Sequence, residues 1–142
     1  MTTCLLVRSA DRTVALLLED LEQVLAIDAT VPAPGLVPAV RGVVAVRDGL
    51  APVVHLGALI ARSAAPTARG TVGVVILAGS RRVVLEVDEA VDLVRQVPEP
   101  LPPEWGAGWA LGGVRWAGAL VPVADVGALV ERIGSRSTEA AA

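Results

Sequence analysis

One histidine, one cysteine and a run of four carboxylates are where this 142-residue chain concentrates reactive side chains. His55, in Val53-Val54-His55-Leu56, could serve as a general base. Seventy positions on, the equivalent residue is Asp125, so both read as strand-end polar groups that tie down the following turn. A lone polar residue without a nucleophile and an orienting partner falls short of a catalytic set. One His with one Cys cannot assemble zinc ligands, and Cys4, in Cys4-Leu5-Leu6-Val7, reads as a small buried hydrophobe. Glu86, Asp88, Glu89 and Asp92 could hold a divalent cation, but neither EF-hand spacing nor a glycine-hinged loop accompanies them. Glu86 and Asp88 alternate with Leu85 and Val87, which predicts both on the outer, solvated face of a strand. Gly106-Ala107-Gly108 and Gly112-Gly113 lack the frame of a phosphate cradle. Trp105, Trp109 and Trp116 are the only aromatics. Trp109 and Trp116 suit a core, while Trp105, beside proline and glycine, is the candidate for an exposed partner anchor.

What positions these residues is a pattern used twice. PVVHLGALI at 52–60 returns as PVADVGALV at 122–130, and the Arg-led apolar run from Arg12 returns from Arg81. Self-similarity at an offset of 69 or 70 residues implies one supersecondary plan repeated, and two copies are too few for a solenoid or propeller.

Short Val-rich runs at 4–8, 13–18, 24–27, 40–47, 50–55, 72–78, 82–87, 91–94, 109–116 and 119–124 predict many short strands. Arg47-Asp48-Gly49 between two of them is a hairpin signal. Segments 28–39 and 97–108 hold most of the ten prolines and predict loops or edge connections. Stretches 56–62 and 126–133 suit short closing helices, and 134–142, polar and small, predicts a disordered tail. The expected architecture is all-β: one domain over 1–133, made of two small five-stranded β-barrel-like lobes whose closure hides strand edges.

Composition narrows the function. Net charge is −3, and the 12 basic residues, all Arg, are scattered, which suits nucleic-acid phosphates poorly. No apolar run approaches the ~18–20 residues of a membrane span, and no basic-then-apolar leader opens the chain. A cytoplasmic protein without direct membrane insertion, disulfides, metal or cofactor is the expectation.

The segment from Val40 through Arg47, Leu50 and Pro52 to His55-Leu56 resembles the signature of the CheW-like chemotaxis coupling proteins. Leu21-Glu22-Gln23-Val24-Leu25, the stretch from Val87 to Val94, and the ending from Gly113 to Leu129 resemble three further blocks of that family, in order. Arg47-Asp48 stands where the family has Arg-Gly, Val54-His55-Leu56 where it has Val-Asp-Leu, and Gln23 where it has Glu. These departures fit a divergent paralogue and bear on partner choice more than on fold.

The resemblance implies a two-lobed β fold and a non-catalytic adaptor. Such proteins couple the cytoplasmic tips of methyl-accepting chemoreceptors to a CheA-type histidine kinase, docking on the kinase's homologous regulatory domain. It places Arg47 at the receptor interface, surrounded by Leu21, Gln23, Val24, Leu50 and Val72. It implies recruitment to receptor arrays and admits self-association. The alternative is a small ligand-binding or enzymatic β-barrel using His55 and the acids of 86–92.

Overall fold

Runs of Val, Leu and Ala, each bounded by glycine, proline or charge, fold into ten strands among the described residues, and each predicted run falls on one of them. The computed structural model describes the chain apart from residues 28, 29, 31, 33–37, 48, 67, 68, 106, 107 and 142, and describes 134–141 in backbone. The strands are β1 (Thr2–Ser9), β2 (Arg12–Leu17), β3 (Leu21–Ala26), β4 (Val40–Val46), β5 (Gly49–His55), β6 (Val72–Ala78), β7 (Arg81–Val87), β8 (Glu89–Gln96), β9 (Ala110–Trp116) and β10 (Ala119–Ala124). Helix α1 (Leu56–Ala61) follows β5, and α2 (Val126–Ala141) follows β10. The backbone of α2 thus continues beyond the 126–133 stretch marked as a closing helix. No helix among the described residues is long and apolar enough to cross a membrane.

The strands form two five-stranded sheets, ordered β8-β1-β2-β10-β9 and β3-β6-β7-β5-β4. Shifting every strand by one repeat converts the first order into the second. Each lobe therefore combines a hairpin from one repeat with three strands of the other. The chain crosses between lobes on very short connections: a single 3-10 turn, Leu18–Asp20, between β2 and β3, and Asp88 alone between β7 and β8. Asp88 pins its crossing twice. Its N–H donates to the Arg8 carbonyl at 2.8 Å, and its carboxylate accepts from the Ala10 N–H at 3.1 Å. The central contact in each sheet is parallel, Ala15 beside Val123 and Val53 beside Val84, and the remaining pairs are antiparallel. Val46 pairs with Gly49 at the β4–β5 hairpin, where φ of +140° suits glycine; Asp48, named in that turn, lies outside the described residues.

Alternation sends side chains to two kinds of core. Inside the first lobe lie Cys4, Leu6, Ala15, Val114, Val121 and Val123, with Trp116 against them. Inside the second lie Ala51, Val53, Val75 and Val84, with Leu25, Val44 and Val46. All five strands of each sheet supply or support its interior, so each sheet wraps around its own contents. The outward faces meet at the lobe junction, where Leu16, Ile76, Leu85, Leu56 and Leu129 are fully buried with Trp109 and the apolar faces of both helices. Full burial stabilises by roughly 1.5–3 kcal/mol per large aliphatic side chain, so the junction, which holds the bulkier residues, is the main core.

The two lobes close differently. In the first, Gln96 bonds both backbone groups of Arg115, at 2.5 and 2.8 Å, and Glu99 pairs with Gly113 across the gap between β8 and β9. Trp116 Nε1 donates to Asp92 Oδ2 at 2.9 Å on the same seam. In the second lobe the equivalent edges, β3 and β4, flank a cleft.

Candidate functional site

Because the repeats are offset by 69 or 70 residues, each end of the lobe junction has a counterpart at the other. At the α1 end, His55 closes β5 and its Nδ1 accepts the Ala58 N–H at 3.0 Å, capping α1. The next free N–H, that of Gly57, donates to Ser9 Oγ of β1 at 3.0 Å, so a residue from the other lobe completes the cap. A Cβ on Gly57 would meet the Ser9 carbonyl at 3.0 Å, which explains the glycine. Arg132 of α2 caps the opposite end of α1, its Nη1 donating to the Ile60 carbonyl at 3.1 Å.

Glu86 lies beside His55 on β7 and is only 1% exposed. Its carboxylate accepts from Arg41 Nε at 2.6 Å and from the Gly70 N–H at 3.0 Å. The expectation of a solvated outer face is overturned for this residue. β7 runs through the molecule with one face on the junction and the other inside its lobe, so alternation leads to no water, and residues 83–87 are all buried. A charge survives there because it is paired and hydrogen-bonded. Asp88, Glu89 and Asp92 do reach solvent. Burial pushes the His55 pKa down; Glu86 and Asp88 oppose that shift and Arg41 adds to it.

At the α2 end the same positions are filled otherwise. Asp125 Oδ1 accepts the Ala128 N–H at 3.2 Å, matching His55, but Ala78 replaces Ser9, Leu111 replaces Arg41 and Leu17 replaces Glu86. With neither hydroxyl nor ion pair to seal it, this end is a groove of about 590 Å³. Leu17, Leu77, Leu111, Val126 and Val130 supply its apolar surface, and Asp20, Asp125, Glu131 and Arg81 its charges. Leu111 is 56% exposed. Burial, with Glu19 and Asp125 nearby, raises the Asp20 pKa.

A second concavity, about 480 Å³, opens between β3 and β4, lined by Glu22, Gln23, Val46, Arg47, Val75 and Arg82. Arg82 grips Glu22 with two bonds of 2.7 and 2.9 Å and holds its carboxyl below the usual range. The β6–β7 hairpin borders both openings, giving Leu77 and Arg81 to the groove and Val75 and Arg82 to the cleft.

Of the residues expected at a receptor interface, Gln23 and Arg47 come together in the cleft. Leu50, 72% exposed, is near the tip of the adjoining hairpin. Val24 pairs with Val74, whose side chain enters the junction, so Val24 shares the face opposite Gln23 and stands half exposed at the sheet edge. Leu21 and Val72 are partly buried against the junction core. Trp109 is buried, Trp116 is half-buried, and Trp105 is 43% exposed, its backbone N–H donating to the Pro102 carbonyl at 3.0 Å. Cys4 is a core residue. Gly106 and Ala107 lie outside the described residues.

Sequence reading missed the groove. The signal was available in the repeat: where one copy has Arg41 and Glu86, the other has Leu111 and Leu17, an exchange of a polar seal for apolar surface.

The CheW-like domain family matches residues 3–134. Among solved structures, the scaffolding protein TtCheW from Thermoanaerobacter tengcongensis superposes with a TM-score of 0.79 at 14% identity, covering 90% of this chain and 86% of that one. No curated protein matches. The doubled lobes, their exchanged hairpins and the family match over nearly the whole sequence agree: this chain belongs to the CheW-like domain family.

Proposed function

We propose that this chain is a non-catalytic adaptor that couples chemoreceptors to a CheA-type histidine kinase in a chemosensory array. The observation that carries the reading is the open α2 end of the junction: an unfilled apolar groove with charged edges, beside the cleft that holds Arg47. A groove of this kind suits an amphipathic helix, whose apolar side chains would lie on Leu77, Leu111 and Val130. The cytoplasmic helical hairpin of a receptor is that partner, with Arg47 pairing a carboxylate or fixing register from the cleft. The kinase's regulatory domain docks lobe to lobe on a separate small apolar surface. Each contact is modest, and many engaged together give a stable array. A relative of the same fold is a scaffolding protein, which supports the reading.

His55 bears on the enzymatic alternative. It is buried and its Nδ1 lone pair is committed to the Ala58 N–H, which favours a structural role over a base. The test is co-precipitation of receptor tips and the kinase regulatory domain from the same genome. Arg47→Glu is expected to weaken receptor recruitment about tenfold, with an unchanged denaturation midpoint, because its side chain is exposed. Full recruitment by that variant removes Arg47 from the interface, and failure of the parent protein to bind any receptor or kinase fragment overturns the coupling role.

A further inference from the structure

The two helix caps at the lobe junction occupy one position of the repeated plan but use different chemistry. His55 holds the Ala58 N–H through Nδ1 at 3.0 Å, and Asp125 holds the Ala128 N–H through Oδ1 at 3.2 Å. A carboxyl group keeps an acceptor oxygen in either protonation state. An imidazole that accepts through Nδ1 loses that lone pair when it takes a second proton, and a donor then faces a donor. We propose that His55 makes the α1 end of the junction an acid-sensitive joint, while Asp125 leaves the α2 end acid-tolerant. The inference concerns the fold and stands independently of the coupling role.

The surroundings of His55 decide whether the proton can be accommodated in place. From β7, Glu86 stands beside it in register with Asp88 beyond, and from β4 comes Arg41. From β1 the neighbouring residue is Ser9, a neutral hydroxyl, and α1 itself, LGALIA, has no titratable side chain. The two carboxylates favour an imidazolium and Arg41 opposes it. Glu86, in register with His55, is already paired with Arg41 and bonded to the Gly70 N–H, so the charge of Arg41 offsets much of its pull on an imidazolium. His55 is also buried. The proton therefore enters by opening the cap.

The sign follows. A histidine whose folded-state pKa lies below its ordinary 6.5 stabilises the fold fully above that pH. As pH falls below 6.5 the opened state takes up the proton first, and stability declines until the folded form titrates too. The joint matters because α1 gives Leu56, Leu59 and Ile60 to the junction and receives Arg132 from α2. Ser9 continues to hold Gly57, so the response is a loosening of α1 and not a release of the lobe.

Amide hydrogen exchange on the intact chain tests this, followed by NMR from about pH 7.5 to 5 and corrected for intrinsic exchange rates. Protection at Ala58 is expected to fall about fivefold relative to Ala128, the scale of a lost helix cap. In His55→Asp the two amides should respond alike. In Asp125→His the loss should appear at Ala128 as well, and this second variant keeps the test available if the first folds poorly. A parallel response of the two amides in the parent protein, or a difference that persists in His55→Asp, overturns the proposal.

Discussion

The two ends of the lobe junction are built from equivalent strands, turns and helix starts, yet one carries a hydroxyl tie and an ion pair and the other opens as an apolar groove. At the α1 end, Ser9 reaches across from the other lobe to Gly57, and Arg41 meets Glu86 in a buried pair of 2.6 Å. At the α2 end, Ala78, Leu111 and Leu17 stand in those places and about 590 Å³ is left unfilled. The difference teaches that a duplicated fold can keep its backbone plan while a few side-chain exchanges leave one of two equivalent surfaces apolar and open. A polar seal satisfies itself, whereas exposed leucines gain by being covered.

The comparison can be broken most forcefully at the ion pair. Glu86→Leu takes the carboxylate out of a largely buried ion pair and should cost about 3–5 kcal/mol in chemical denaturation. The double variant Arg41→Leu with Glu86→Leu copies the α2 end and should recover most of that loss, because paired apolar replacements are often neutral. If the double variant is no more stable than the single one, the pair is required by the fold itself. Next in size is the groove: Leu111→Asp should weaken receptor-tip binding about tenfold, roughly 1.4 kcal/mol, without moving the denaturation midpoint. Binding that is unaffected would leave the groove without its assigned partner.

The two helix glycines sharpen the contrast further. Gly57→Ala pushes a methyl toward the Ser9 carbonyl and should destabilise by about 1 kcal/mol. Gly127→Ala meets only the tip of Asp125 at 3.3 Å and should be neutral or gain several tenths of a kcal/mol from helix propensity. Equal responses in thermal melts would mean that the ends are packed alike. Comparable to the Gly57 effect is that at the lobe seam, where Trp116→Phe removes the bond to Asp92 and should cost about 0.5–1.5 kcal/mol.

Much of this was legible from residues alone. Period-2 runs ended by glycine, proline or charge locate every strand, since a strand needs only local apolar patterning and a terminator. The equivalence of His55 and Asp125 was visible in the echo of PVVHLGALI and PVADVGALV, and with it the role of both as turn ties. Glu86 misled because alternation reports two faces but not whether water lies beyond either. The family resemblance grouped Leu21, Val24, Leu50 and Val72 with Gln23 and Arg47, and the β3–β6 pairing puts Val24 on the face opposite Gln23.

The amino-acid order by itself determined the element list, the doubled plan and the residues that must be buried somewhere, because each depends on neighbours a few positions away. Only the tertiary structure decided that the hairpins are exchanged between lobes, that β7 is covered on both faces, and that one end of the junction is tied by polar contacts while the other opens as a groove. Those outcomes depend on contacts between residues far apart in the chain, such as Ser9 with Gly57 (48 positions) and Arg41 with Glu86 (45 positions), which local pattern does not encode.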